Sequence, residues 1–124
     1  MISLIIGKKG TGKTKVLVEK VNDAVHVSSG NVVCVEKETK LTYDVNYRAR
    51  LVAADVFAIS GYDALYGFLS GICAGDHDIT DIFVDATYRI AEDKERTGEA
   101  LSSFLKKVDE LSKISDTKFR SEER

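Results

Sequence analysis

Three things are scarce in this chain. No stretch is apolar over the roughly 20 residues that a membrane-crossing helix needs, so no membrane span is expected. Basic residues are not in excess: 18 Lys and Arg face 20 Asp and Glu, for a formal charge of −2. A generic nucleic-acid binder carries the opposite balance, so nucleic acid is not indicated as a partner. Cysteines number two, Cys34 and Cys73, and both lie within expected apolar elements. They read as small buried thiols in a reducing, cytoplasmic compartment, not as a disulfide or a metal pair. Proline is absent altogether, and nothing is drawn from that.

The 124 residues are 44% hydrophobic, enough to bury a real core, and residues 1–124 read as one domain. The first expected strand begins at Ile2, so no leader peptide is expected. Directly behind the apolar run Ile2-Ser3-Leu4-Ile5-Ile6 stands GKKGTGKT, from Gly7 to Thr14. It fits G-x-x-x-x-G-K-[ST] and sits between a buried strand and a helix, where that motif works. A chance match in a chain of this length has a frequency of about half a per cent from average residue usage. The alternative is a glycine-rich turn with no ligand.

The glycines Gly7, Gly10 and Gly12 let the backbone wrap closely around phosphates without Cβ clashes. The loop amides, through Lys8, Lys9 and Thr11, and the following helix N-terminus aim positive dipoles at those phosphates. Lys13 supplies a mobile cation for the β- and γ-phosphates, and the Thr14 hydroxyl is placed to ligate Mg²⁺. Lys8, Lys9, Lys13 and Lys15 form the dense basic cluster of the chain and raise the local concentration of a polyanionic nucleotide. The segment implies a P-loop nucleotide-binding protein.

Apolar spacing gives the rest of the layout. A helix over about Lys13 to Val27 carries Leu17, Val21, Ala24 and Val25 in phase, with Gly30 as its stop. Strands are expected at Asn31–Glu36, Asp55–Ser60 and Ile82–Val84. A second helix is expected over about Asp63 to Cys73, and a third over about Gly98 to Ile114 with Thr97 as its N-cap. Residues 37–50 lose the apolar period and read as an irregular, mobile segment. Residues 116–124, DTKFRSEER, read as a polar tail and a poor central strand. This order predicts an α/β three-layer sandwich with a mostly parallel sheet, the P-loop NTPase fold.

Asp85 ends an apolar strand, the position of the Walker B aspartate on the Mg²⁺ side. Parallel strands share one C-terminal edge, so Asp85 and Thr14 should converge there. The residue after Asp85 is Ala86, so the frequent Asp-Glu pair is missing. Glu36, ending the second strand, is the candidate to orient the attacking water, with Glu38 as a weaker substitute. The alternative for Glu36 is a solvated strand end beside Lys37 and Lys40. Arg48, Arg50 and Arg89 are candidates to neutralise γ-phosphate charge, Arg89 foremost. Asp76-His77-Asp78 reads as a solvated turn before it reads as a metal site. Tyr43, Tyr47 and Tyr62 are candidates to stack on a base, with ordinary packing the simpler reading.

The chain resembles the RecA-like branch of P-loop ATPases, which includes recombinases and the twitching-motility and type II/IV secretion ATPases. The likeness rests on GKKGTGKT, on NVVCVE ending in Glu36, and on DVFAISGYDALYGFLSGICAGDHDITDIFVD, and covers about Ile2 to Thr87. It implies ATP and Mg²⁺ as ligands, Lys13 and Glu36 as catalytic residues, and a homo-oligomer or partner supplying an arginine finger. That branch inserts a further strand beside the first. The polar tail leaves direct pairing of the first and fourth strands as the alternative, as in kinase- and GTPase-type domains. A thymidine-kinase-like layout is the runner-up, although Ala86 and the lack of a cysteine zinc site depart from it. The expected function is Mg²⁺-dependent ATP binding and hydrolysis. A nucleoside or small-molecule kinase and a non-catalytic nucleotide-dependent switch are the alternatives.

Overall fold

The computed structural model describes residues 2–6, 13–38, 46, 48–85, 87–92 and 98–123. The described elements run β1 (Ile2–Ile6), α1 (Lys13–Val27), β2 (Asn31–Glu36), β3 (Ala49–Ala53), a 3₁₀ turn (Ala54–Phe57), α2 (Tyr62–Gly75), β4 (Ile79–Val84), α3 (Thr87–Ile90), α4 (Gly98–Ser115) and β5 (Lys118–Glu123). The strands form one sheet in the order β1-β5-β4-β2-β3, with every neighbouring pair parallel. Among the described residues no helix is long and apolar enough to cross a membrane.

The unbroken apolar runs of β2 and β4 follow from burial on both faces. Alternation along each strand then sorts the side chains. Val32, Cys34 and Phe83 pack with Leu17, Val21, Ala24 and Val25 of α1. Val33, Val35, Ile82 and Val84 pack with residues of α2 and α4, including Leu65, Leu69, Phe104 and Val108. Helical layers thus cover both faces, one from α1 and one from α2 with α4. The same sorting puts Cys34 and Cys73 in clusters on opposite faces, and both are free thiols. Burial pushes the Cys73 thiol up, which keeps it protonated and unreactive.

The α1 spacing matches its helix, which ends at Val27 with the Ser28 amide donating to the Ala24 carbonyl at 2.8 Å. Gly30 serves a close approach instead: a Cβ there would collide with the Asp78 carbonyl oxygen. The Asn31 amide donates to that same oxygen at 2.8 Å, which brings the start of β2 onto the turn before β4.

Three expectations are corrected. The apolar stretch at Asp55–Ser60 is not a strand. It opens as a 3₁₀ turn and passes through a left-handed Ala58 at φ 55°. Its Ala54 and Ile59 are buried, whereas Val56 is 72% and Phe57 57% exposed. The third strand is Ala49–Ala53, which begins in the last two residues of the segment read as irregular. It lies at the sheet edge among the described residues; Ala49 and Leu51 pack on the α1 side and Val52 on the α2/α4 side, and the exposed Arg50 among them interrupts the apolar run that a doubly covered strand shows. Of that segment, residues 39–45 and 47 lie outside the described residues, as does the proposed cap Thr97.

The third correction reaches furthest. The polar tail is β5, and it stands between β1 and β4, so the first and fourth strands do not pair directly. Its one large apolar residue, Phe119, is 2% exposed within the α2/α4 core. Its buried polar groups are satisfied. Thr117, just ahead of the strand, donates its hydroxyl to the Ile79 carbonyl at 3.2 Å, and the Ser121 hydroxyl pairs with that of Thr87. Arg120 lays its guanidinium over the Phe83 ring at 5.5 Å. A central strand needs ladder partners and no unsatisfied polar group, and β5 meets both conditions among its described side chains with little apolar surface.

Burial predicts a contrast between two phenylalanines. Phe119→Ala should lower stability by about 3–5 kcal/mol, and Phe57→Ala by about 1 kcal/mol or less. Urea denaturation of the two variants checks this; equal losses would contradict a central β5.

Candidate functional site

Parallel pairing brings all strand C-termini to one edge. There β1 ends at Ile6 opposite Glu123 of β5, β4 passes into Asp85, and β2 ends at Glu36 opposite Ala53 of β3. Val35 is in register with Val84, and the Asp85 amide donates to the Val35 carbonyl at 2.8 Å. Glu36 and Asp85 are therefore neighbours on adjacent strands, with backbones about 5 Å apart. Leu4 and Val84 both pair with Ser121, so Asp85 lies level with Ile5, two strand spacings away, about 10 Å. β1 ends at Ile6, one residue beyond that level.

The alternation that sends Val32 and Cys34 to the α1 face sends Glu36 there too, as Phe83 leads to Asp85. Glu36 is 2% exposed, so it is not the solvated strand end that was the alternative reading. A carboxylate removed from water in this way is costly unless other groups hold it, and Glu36 and Asp85 both make polar interactions.

The sheet brings the loop strand, Glu36 and Asp85 to one edge, and α1 starts from that edge with Lys13, Thr14 and Lys15 in its first turn. Gly7, Lys8, Lys9, Gly10, Thr11 and Gly12 lie outside the described residues, as do Tyr43 and Tyr47. Arg48 and Arg50 are not at this edge. They sit at the opposite end of β3, with Arg50 beside Val33, while the strand reaches the carboxylates only at Ala53. Arg89 is at the edge, on the short α3 behind Asp85, and its Nη2 donates to Glu38 Oε1 at 2.9 Å. Both members of that pair are about half exposed, at 41% and 45% of the side chain.

Other candidates take structural roles. The Asp76 carboxylate accepts from Asn31 Nδ2 at 2.8 Å and from the Asp78 amide at 2.9 Å, which organises the turn before β4. Tyr62 packs on Phe104, with ring centroids 5.3 Å apart. Sequence reasoning missed Thr87, fully buried and tied to Ser121 behind Asp85. A hydroxyl three residues past the strand end was its only signal. The Glu38–Arg89 pair spans 51 positions and leaves no local signal at all. No protein-family model matches the chain, and no curated protein matches it in sequence.

An exposed ion pair contributes little to stability. Glu38→Gln should therefore lower the unfolding free energy by about 1 kcal/mol or less, measured by urea denaturation. A loss on the scale of a core deletion would show that the pair holds the edge together.

Proposed function

We propose that the strand C-terminal edge binds ATP with Mg²⁺ and hydrolyses the γ-phosphate bond. The observation that carries this reading is the adjacency of Glu36 and Asp85 at the edge to which β1 delivers GKKGTGKT. Residues Gly7 to Thr14, with Lys15 beside them, hold the phosphates. Thr14 and Asp85 hold Mg²⁺, which neutralises charge on the phosphate oxygens. Lys13 stabilises the charge that develops on the transferred group. A water in line with the γ-phosphorus donates a hydrogen bond to Glu36 and gives up its proton there as the bond to ADP breaks.

The resemblance to RecA-like ATPases gains support from β5, because that branch also inserts a strand beside the first. Kinase- and GTPase-type domains pair those strands directly. Among the arginines considered, Arg89 is engaged by Glu38, and Arg48 and Arg50 lie at the far end of β3. Among the described residues the site therefore lacks a committed internal arginine finger, and turnover by the isolated chain is slow. A second copy or a partner protein that contributes an arginine raises the rate.

Lys13→Ala should abolish ATP binding in a nucleotide titration. Glu36→Gln should keep Mg·ATP affinity and reduce phosphate release by about 10²-fold or more. Unchanged turnover in Glu36→Gln removes that residue from the chemistry. Turnover that requires an added nucleoside reassigns the site to a kinase, and tight ATP binding without any turnover reassigns it to a switch.

A further inference from the structure

A cleft of about 520 Å³ opens between α2 and the edge strand β3, at the end of the sheet away from the carboxylates. Val33, Val52, Phe57, Phe68, Ile72 and Ile79 line it. Phe57 stacks on Phe68 with centroids 6.5 Å apart, yet Phe57 remains 57% exposed, as does its neighbour Val56 at 72%. Arg48 and Arg50 also line the cleft and are exposed. Among the described residues neither guanidinium has an ion-pair partner. Asp76, the carboxylate in the lining, is occupied by Asn31 and the Asp78 amide.

An apolar cleft with a few polar groups at its margin is the ordinary form of a small-molecule site. Two uncommitted guanidinium groups fix the sign of the ligand, because their fork of donors matches a carboxylate and repels a cation. We propose that this cleft binds a small amphiphilic carboxylate, with its hydrocarbon body against Phe57, Phe68 and Ile72 and its head on Arg48 and Arg50. The site is separate from the nucleotide edge: Arg50 lies three residues before Ala53, about 10 Å along the strand.

The test is a titration of isotope-labelled protein with octanoate, with 4-phenylbutyrate and with octyltrimethylammonium, followed by amide shifts. At least one carboxylate should shift amides of β3, the 3₁₀ turn and the second half of α2, and the cation of equal chain length should not. Octanoate or 4-phenylbutyrate alone meeting this criterion identifies the tail as aliphatic or aromatic. The double variant Arg48→Gln/Arg50→Gln should bind about tenfold more weakly, and the exposed Phe57→Ala should also weaken binding while its melting temperature falls by no more than about 5 °C. Lys13→Ala should bind the carboxylate unchanged, which separates this site from the fate of the nucleotide reading. Equal binding of the ammonium amphiphile, undiminished affinity in the arginine variant, or shifts confined to another surface would overturn the proposal.

Discussion

The parallel ladder that β5 forms with β1 on one side and β4 on the other joins the two parts of the sheet. β1 leads into the glycine-rich segment, and β4 leads into Asp85. Their separation, height and relative direction are all set by the strand between them. If β5 slipped by one residue, Phe119 would leave the α2/α4 core and Ser121 would lose Thr87. Register is thus pinned by one aromatic ring and one hydroxyl pair, and the spacing at the carboxylate edge is inherited from that pinning.

Burial does a second task at that edge. Glu36 emerges from a strand whose four preceding residues are all buried, and it stays buried itself. Apolar strands on a rigid sheet hold a short acidic side chain far more narrowly than a loop could. Arg89, on one turn of helix behind Asp85, is held by Glu38 at the exposed rim. The edge thus combines a buried Glu36 and a partly exposed Asp85, both set by strand ends, with a cation whose own pairing is weakly held and open to exchange.

The central part of this layout was legible in the sequence, because it is written in periodicity. VVCV and IFV are runs that only a doubly covered strand uses, and the helical spacings of Leu17–Val25 and Leu101–Leu111 have few other readings. Glu36 and Asp85 were readable as strand ends for the same reason. What escaped depended on partners far away in the chain. β5 is polar, and its stability comes from ladders on both sides and from Thr87 and Ile79, none of which leaves a local trace. VFAI looked like a strand because apolar content suggested it, yet Val56 and Phe57 face outward on a turn. The edge strand ARLVA was hidden by its exposed Arg50, which breaks the apolar run of a covered strand.

Ile2 pairs with Phe119, so the first and last described strands meet across nearly the whole chain. Among the described residues β1 has no other ladder partner. Closing so long a loop costs entropy that local contacts cannot offset, and such contacts form late and slowly. As the chain emerges during synthesis, β2, β3 and β4 can assemble with α1 and α2 while β1 still waits. β1 is therefore the last of these strands to find its place, and it can do so only when residues 118–123 have been made.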